Sequence, residues 1–244
     1  MTDHVERSSP RLKARLAGLL YLSTPGVPFN VFFVLGKLVA PGDAAATAHN
    51  ILASEPLYRL GAASVFASGA GYLVVTLLLY DLFKPVNRSL SLLAAFFSLL
   101  GIAAMMVSGV FQLAPLVVLG GAPYLNGFSA EQLQGLALVF LKLHGHGFTL
   151  AMLFFGFYMV LIGGLITGSS FIPRIVGLLT AISGLAYLSH SFASFLSPPL
   201  GARLFTYVML FGVGELVLML WLLFVGVNAA KWHEQASRSS GVRT

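Results

Sequence analysis

The chain has 244 residues, of which 57% are hydrophobic and 9% are charged. Soluble domains carry about 25% charged residues, so this composition excludes a soluble protein and indicates one that crosses a membrane several times. The absence of cysteine excludes disulfide bonds, thiolate metal sites and a cysteine nucleophile. The net charge of +6 follows from the positions of the basic residues and does not indicate nucleic-acid binding.

Six apolar stretches are long enough to cross a membrane, because about 20 helical residues span the ~30 Å hydrocarbon core. They lie near residues 14–39, 58–83, 89–118, 147–168, 174–197 and 203–228. No internal repeat and no linker rich in Pro, Gly or Ser divides the chain. The sequence therefore predicts an all-α polytopic bundle of six transmembrane helices, spans 1 to 6, in a single domain over residues 1–244.

Basic residues are distributed unevenly over the two sides of this bundle. An even number of spans places both termini on one side, together with ten of the 14 Lys and Arg residues. These ten are Arg7, Arg11, Lys13, Arg15, Lys84, Arg88, Arg174, Lys231, Arg238 and Arg243, and the other four are Lys37, Arg59, Lys142 and Arg203. Because cytoplasmic loops are the richer in Lys and Arg, we predict cytoplasmic termini. The start of the chain also resembles a signal peptide, but its apolar run is too long for one, so we expect an uncleaved first span.

Span 1 contains a break, Ser23-Thr24-Pro25-Gly26-Val27-Pro28-Phe29-Asn30. Its prolines leave backbone carbonyls without helical partners, which a membrane tolerates only where protein or water satisfies them. Two interpretations are open. The segment is a kink relieved by the Ser and Thr hydroxyls, or it is a break that lines a binding site, as in transporters.

The sequences of both loops on the outer side predict short interfacial helices. In the first, Asp43 is a good N-cap for an alanine-rich helix that ends before Pro56. In the second, Ser129 begins a capping-box pattern that opens a helix over about 130–142. We expect a bend at residues 144–147 before span 4, because ~39 unbroken residues to Gly168 would extend nearly 60 Å.

The most informative residue is Glu215, which lies inside the apolar sequence of span 6. An ionisable side chain at such a depth is costly and usually faces a bundle interior or a wet cavity, where it marks function. Tyr187 and His190 follow one helical stripe of span 5. We therefore predict that Glu215 is a catalytic acid or base, with His190 and Tyr187 orienting it. A structural contact between spans 5 and 6 is the alternative.

Other candidate residues are expected in the outer half of the membrane, at a rise of ~1.5 Å per residue from the ends of their helices. The predicted binding residues are Asn30, His49, Arg59, Gln112, His144, His146 and Phe155. Phe155 belongs to a phenylalanine-rich set suited to the apolar part of an isoprenoid or acyl chain.

The histidines raise the alternative of a zinc or iron site formed by His144, His146, His190 and Glu215, with His49. Against it, the His-Gly-His sequence is not a helical i, i+4 pair, and no HExxH spacing is present. We therefore predict no metal site, and the cofactor stays unknown. Phosphate-binding glycine loops and the GxSxG motif are absent as well, so soluble nucleotide chemistry is not expected.

Several segments together resemble a family of bacterial membrane proteins known only as a domain of unknown function. They are Gly42–Ala48, Tyr80–Arg88, His144–Phe148, Phe154–Gly156, Ser170–Arg174, Gly184–Leu188 and Trp221–Asn228. The resemblance covers most of the chain. It implies a small multi-span bundle, with no established activity or cofactor, and with the predicted topology it gives a location in the bacterial cytoplasmic membrane.

The function predicted from these features is an intramembrane polar pocket that binds or transforms a lipophilic small molecule, an isoprenoid or a lipid. Glu215 would serve as its acid or base. The expected partners are the lipid bilayer and this ligand, and nucleic acid is not expected. Two alternatives stay open: a proton-coupled small transporter, and a non-catalytic subunit that binds another membrane protein or a second copy of itself. The sequence does not decide whether the protein is an enzyme.

Overall fold

The computed structural model describes the backbone of residues 9–241, with all side chains in that range except those of 209–211, 240 and 241. Arg7 and Arg243, which the topology prediction counts as cytoplasmic, lie outside the described residues. Every regular element within them is a helix. Six helices are long and apolar enough to cross a membrane: Pro10–Leu38, Glu55–Phe83, Arg88–Val118, Ala130–Gly168, Arg174–Leu196 and Pro198–Val225. The predicted all-α bundle of spans 1 to 6 is confirmed.

Large apolar side chains cover much of the exposed surface of these spans. Leu77 is 61% exposed, Val110 is 62% exposed and Phe224 is 69% exposed. Extended apolar surface of this kind is rare on monomeric soluble proteins, whereas lipid tails are a favourable environment for it. The chain is therefore a multi-pass membrane protein whose spans contact the bilayer.

The described residues form two compact units. Unit A consists of residues up to 22, residues 71–101 and residues from 151 onward. Unit B consists of residues 23–70 and 102–150. In unit B, Val34, Ile51 and Tyr58 form the centre of an apolar core. The expected single domain over residues 1–244 stays a prediction.

The helix of span 1 is interrupted at the position that its prolines predict. It consists of Pro10–Tyr21, a turn over 22–25, Gly26–Pro28, a π-helix over Phe29–Leu35, and Gly36–Leu38. Two hydroxyls of span 2 lie within hydrogen-bond distance of carbonyl oxygens in the break: Ser68 Oγ is 2.6 Å from the oxygen of Ser23, and Ser64 Oγ is 2.9 Å from the oxygen of Gly26. A Cβ at Gly26 would lie 2.6 Å from the carbonyl oxygen of Ser64, so this approach requires glycine. Protein hydroxyls thus satisfy the break, as a membrane interior demands.

The predicted N-caps of the loop helices are both present. Asp43 Oδ1 accepts a hydrogen bond from the backbone N–H of Ala46 at 2.8 Å and caps the helix Ala44–Ala53. Ser129 and Gln132 form a reciprocal capping box, in which each side-chain oxygen accepts from the other's backbone N–H, at 3.3 Å and 2.8 Å. The short helix between spans 1 and 2 is confirmed, and the capping box begins span 4.

Span 4 departs from the prediction, because Ala130–Gly168 is one unbroken helix of 39 residues. The predicted bend at residues 144–147, which would have separated a helix over 130–142, is wrong. The segment contains no proline, and a helical glycine costs only about 1 kcal/mol relative to alanine. Close packing of span 4 against span 3 outweighs that cost. Gly147 is part of this contact, because a Cβ there would lie 3.0 Å from the Cβ of Ser108. Two contacts of His144 with Ser108 hold the same turn in place.

One end of unit A gathers the start of span 1, the end of span 2, the loop between spans 4 and 5, and the C-terminal helix Ala229–Gly241. Lys13 Nζ lies 2.9 Å from Asp81 Oδ2. Trp232 Nε1 donates to the carbonyl oxygen of Leu82 at 2.8 Å, and the N–H of Asn228 donates to that of Phe171 at 3.2 Å. An even number of spans places both chain ends on the same side of the membrane, which allows these contacts.

Candidate functional site

Glu215 accepts hydrogen bonds from two tyrosines of unit A. Tyr72 of span 2 donates to Oε1 at 3.0 Å, and Tyr187 of span 5 donates to Oε2 at 3.2 Å. Each carboxyl oxygen therefore has its own phenol donor. Among the described residues, the ion pairs of Lys, Arg and His do not include Glu215. Neutral hydroxyls, rather than a cation, stabilise this carboxyl group inside the bundle.

Gly214 brings Glu215 close to span 5. A Cβ at Gly214 would overlap the carbonyl oxygen of Leu179 and the hydroxyl of Ser183. The backbones of spans 5 and 6 are thus in direct contact beside Glu215. Tyr187 lies four residues after Ser183, about one helical turn further along span 5, since a turn contains about 3.6 residues. The glycine therefore sets the distance at which the Tyr187 hydroxyl meets the carboxyl group.

A further tyrosine extends the hydrogen bonds of Glu215 into a chain. The hydroxyl of Tyr21 in span 1 lies 3.3 Å from that of Tyr72. Because Tyr72 gives its only hydroxyl proton to Glu215, Tyr21 is the donor in this pair. The hydrogen bonds therefore run from Tyr21 to Tyr72 to Glu215, where they meet the bond from Tyr187. Side chains of spans 1, 2, 5 and 6 thus form one connected network.

Aromatic rings surround this network. The ring of Tyr72 lies 5.3 Å from Tyr21, 5.1 Å from Phe155 and 6.0 Å from Tyr158, measured between centroids. The hydroxyl of Tyr158 is buried close to the hydroxyls of Tyr21 and Tyr72 but makes no hydrogen bond of normal geometry within the described part of the protein. We refer to Tyr21, Tyr72, Phe155, Tyr158, Tyr187 and Glu215 as the tyrosine–glutamate cluster.

Three members of the tyrosine–glutamate cluster are not among the candidates from the sequence: Tyr21, Tyr72 and Tyr158. Each lies well inside an apolar span, whereas membrane tyrosines are enriched at the interfaces. A phenol at that depth needs an internal hydrogen-bond partner. One signal could have identified these three residues. They are tyrosines far from the ends of their apolar stretches, in a chain with one carboxylate in mid-span.

The structure places His190 apart from Glu215. Its Nδ1 lies 3.0 Å from the carbonyl oxygen of Gly201, and its ring lies 5.3 Å from that of Phe205. His190 is buried at the junction between spans 5 and 6. It therefore does not orient Glu215 by direct contact, although Tyr187, three residues earlier on the same helix, does contact the carboxyl group.

Asn30 and Gln112 form a reciprocal amide pair in unit B. Asn30 Nδ2 donates to Gln112 Oε1 at 2.8 Å, and Gln112 Nε2 donates to Asn30 Oδ1 at 2.9 Å. Both side chains are fully buried. The hydroxyl of Tyr58 donates to the backbone carbonyl of Gln112. This pair joins the π-helix of span 1 to span 3, as expected for polar contacts between membrane helices.

The remaining candidates of unit B lie apart from this pair. His144 is buried, and its Nδ1 lies 2.9 Å from both Oγ and the carbonyl oxygen of Ser108. His49 and His146 are exposed. Arg59 is exposed as well and pairs with Glu55 at 2.7 Å. Only His144 among these four makes a contact inside the bundle.

The described residues contain no group of three or more His, Asp or Glu side chains placed to hold a metal ion. His144 and His190, the buried histidines among the candidates, are hydrogen-bonded to Ser108 and Gly201 respectively. In the interior of unit A, the carboxyl group of Glu215 and the hydroxyls around it therefore form the candidate site. A carboxyl group in this setting can accept hydrogen bonds when ionised and donate one when protonated.

Comparison with known proteins identifies a family but no characterised relative. No curated protein and no solved structure matches the chain. A family model described as a domain of unknown function matches residues 16–226, which include the whole tyrosine–glutamate cluster. The resemblance seen in the sequence is confirmed: this multi-pass membrane protein belongs to the family of the domain of unknown function DUF4386.

Proposed function

We propose that the tyrosine–glutamate cluster binds a lipophilic small molecule, an isoprenoid or a lipid, and that Glu215 acts on its polar group as acid or base. The observation that carries this proposal is a carboxyl group inside a membrane bundle, held by two phenol hydroxyls and, among the described residues, paired with no cation. An ionisable side chain inside a membrane bundle is costly and by default marks a functional site.

The hydrogen bonds of Glu215 suit proton exchange. Tyr72 and Tyr187 hold the carboxyl group in one orientation but leave it without a fixed counter-ion. A proton can therefore be taken from the ligand or given to it without breaking an ion pair. Acid–base catalysis requires a positioned group of this kind within hydrogen-bond distance of the reacting atom.

The aromatic members of the cluster suit the apolar part of the ligand. Phe155, Tyr72 and Tyr158 form a contiguous aromatic wall beside the carboxyl group. Ligand sites are mostly apolar, with a few polar groups that fix orientation. The buried hydroxyl of Tyr158, which makes no hydrogen bond of normal geometry in the described part of the chain, supplies one more hydrogen bond for a hydroxyl or headgroup oxygen.

Native mass spectrometry of the full-length protein in mild detergent tests this proposal, with the bound species identified after release. We expect a stoichiometric lipid or isoprenoid on the wild type, which is lost in Glu215→Gln and weakened in Tyr158→Phe. Tyr80→Phe is the matched control, since Tyr80 lies on the same span as Tyr72 and outside the cluster. Wild-type protein free of any bound molecule, or equal binding by Glu215→Gln, would overturn the proposal. A tightly bound second membrane protein would favour the non-catalytic subunit instead.

A proton-coupled transporter is the second candidate, and one specific observation favours it. The hydrogen-bonded chain from Glu215 reaches Tyr21, and the break in span 1 begins at the next residue. Chains of hydroxyls can conduct protons, and broken helices line the sites of transporters. Proteoliposomes containing a pH-sensitive dye test this candidate. Proton flux that Glu215→Gln abolishes and Tyr80→Phe retains would support it.

We also propose that the protein lies in the bacterial cytoplasmic membrane with both termini in the cytoplasm. The excess of Lys and Arg on the side of the termini supports this orientation. Because the chain has no cysteine, single cysteines report topology without background. In intact cells, a membrane-impermeant maleimide should label Ala45→Cys and not Ser237→Cys. The reverse pattern would invert the topology.

A further inference from the structure

A second candidate site lies at the end of unit A where the chain ends meet. It is a cavity of about 510 Å³. Its polar lining includes Arg11, Ser170, Asn228 and Lys231, and its apolar lining includes Phe171 and Trp221. The residues come from the start of span 1, the loop between spans 4 and 5, the end of span 6 and the C-terminal helix. Since these are the ends of spans, the cavity lies at the level of lipid headgroups.

The charge of this cavity is one-sided. Arg11 and Lys231 line it, and no Asp or Glu of the described residues does. The described ion pairs include neither side chain. By contrast, Lys13 and Lys84 nearby both pair with Asp81, at 2.9 Å each. Two cations without acidic partners, facing one cavity, make a site for an anion.

The ring of Trp221 forms part of the wall of the cavity. Its N–H is shielded from solvent, so the ring presents carbon atoms to the cavity. The other walls are apolar, with Ile172, Val225 and Val227 beside Trp221. The cavity thus combines hydrogen-bond donors and cations with a surface that suits acyl chains.

We propose that this cavity binds the phosphate group of an anionic phospholipid. Basic pockets between the ends of membrane helices bind such headgroups. Arginine and lysine donate charge-assisted hydrogen bonds to phosphate, which are roughly twice as strong as neutral ones. The apolar walls accept the adjoining acyl chain. The site is separate from the tyrosine–glutamate cluster, and its occupant does not depend on what Glu215 binds. Free inorganic phosphate shares the headgroup's chemistry and is the other source to be tested.

Lipid competition on the full-length protein tests this site. Equal amounts of phosphatidylglycerol and phosphatidylcholine are added in detergent, and the adducts are counted by native mass spectrometry. The wild type should prefer phosphatidylglycerol, because the choline cation of phosphatidylcholine cancels its phosphate charge beside Arg11 and Lys231. The double variant Arg11→Gln with Lys231→Gln should lose about tenfold or more of that preference. Lys142→Gln with Arg238→Gln removes the same charge outside the cavity and should keep the preference.

A second measurement distinguishes a lipid headgroup from soluble phosphate. Sodium phosphate, compared with sodium chloride at equal ionic strength, should raise the unfolding temperature of the wild type and not of the double variant if the ligand is soluble phosphate. A phosphate effect without lipid preference would assign the site to the soluble anion. Equal binding of both lipids and no effect of phosphate would overturn the proposal.

Discussion

Tyr72 donates a hydrogen bond to Oε1 of Glu215 at 3.0 Å, across 143 residues of chain. The same hydroxyl accepts from Tyr21 at 3.3 Å. One phenol therefore connects three spans through a single oxygen atom. The carboxyl group receives half of its hydrogen bonds in the described structure from this hydroxyl. A change at Tyr72 should therefore also alter the hydrogen bonding of Tyr21.

Tyr72→Phe should destabilise the protein. The change removes the Oε1 donor of Glu215 and the acceptor of Tyr21. Leaving a buried polar group without its partner costs about 1–3 kcal/mol. We expect the free energy of unfolding to fall by about that amount, measured from unfolding curves in detergent.

Tyr158→Phe is the matched comparison for this change. It also removes a phenol oxygen from a ring of the aromatic wall. Unlike the hydroxyl of Tyr72, however, the hydroxyl of Tyr158 makes no hydrogen bond of normal geometry in the described residues. Removing it should leave the free energy of unfolding unchanged within about 0.5 kcal/mol. Equal destabilisation by both variants would show that the hydrogen bonds of Tyr72 contribute nothing beyond ring packing.

Gly214→Ala should separate spans 5 and 6. Its Cβ would overlap the carbonyl oxygen of Leu179, so a backbone must move. Overpacking of this kind typically costs about 1–3 kcal/mol, and the shift should weaken the bond from Tyr187 to Glu215. The unfolding midpoint in detergent measures the loss. Gly164→Ala is the control, because a Cβ there meets nothing within 4 Å, and the substitution should be neutral or stabilising. Equal midpoints for the two variants would contradict the close contact.

Asn30 and Gln112 should behave as one unit in a double-mutant cycle. Each single change to alanine leaves the partner amide buried without its two hydrogen bonds. The double variant leaves no such amide. Its loss of unfolding free energy should therefore be smaller than the sum of the two single losses by about 1–2 kcal/mol. Additive costs would show that the two amides do not interact.

Asp81→Asn should leave two lysines without an acid. Asp81 lies 2.9 Å from both Lys13 and Lys84, and the side chain of Lys13 is only 14% exposed. Because the Lys13–Asp81 pair is partly buried, we expect the change to lower the free energy of unfolding by about 1–3 kcal/mol. Glu234→Gln breaks the exposed pair with Arg238 and should cost less than about 0.5 kcal/mol. Similar losses for the two variants would contradict the role of burial at Asp81.

Much of the fold could be predicted because its signals are local. Apolar stretches give the six spans, Pro25 and Pro28 give the break in span 1, and Asp43 and Ser129 give the caps. Each signal lies within about one helical turn of its effect. The bend expected near His144 is the exception. There, contacts with Ser108 on another span outweigh the weak helix preference of glycine.

The contact between Tyr187 and Glu215 could be predicted because neighbouring spans carry these two residues. Tyr187 and Glu215 lie on consecutive helices, so a shared stripe suggests their contact. Tyr21, Tyr72 and Tyr158 come from spans distant in sequence, and no local pattern shows which residues of such spans meet. His190 lies on the same span as Tyr187, yet it bonds to Gly201 because span 6 turns back next to it. Helical spacing gives a face, and packing decides which residues on that face are neighbours.

The proposed function requires that Glu215 gains and loses a proton inside the bundle. Infrared difference spectroscopy of the full-length protein during a pH step measures this directly, through the C=O stretching band of a protonated carboxylic acid. We predict a band that changes with pH in the wild type and is missing from Glu215→Gln, while Tyr80→Phe retains it. Identical difference spectra for the wild type and Glu215→Gln would contradict the claim and leave Glu215 as a packing residue.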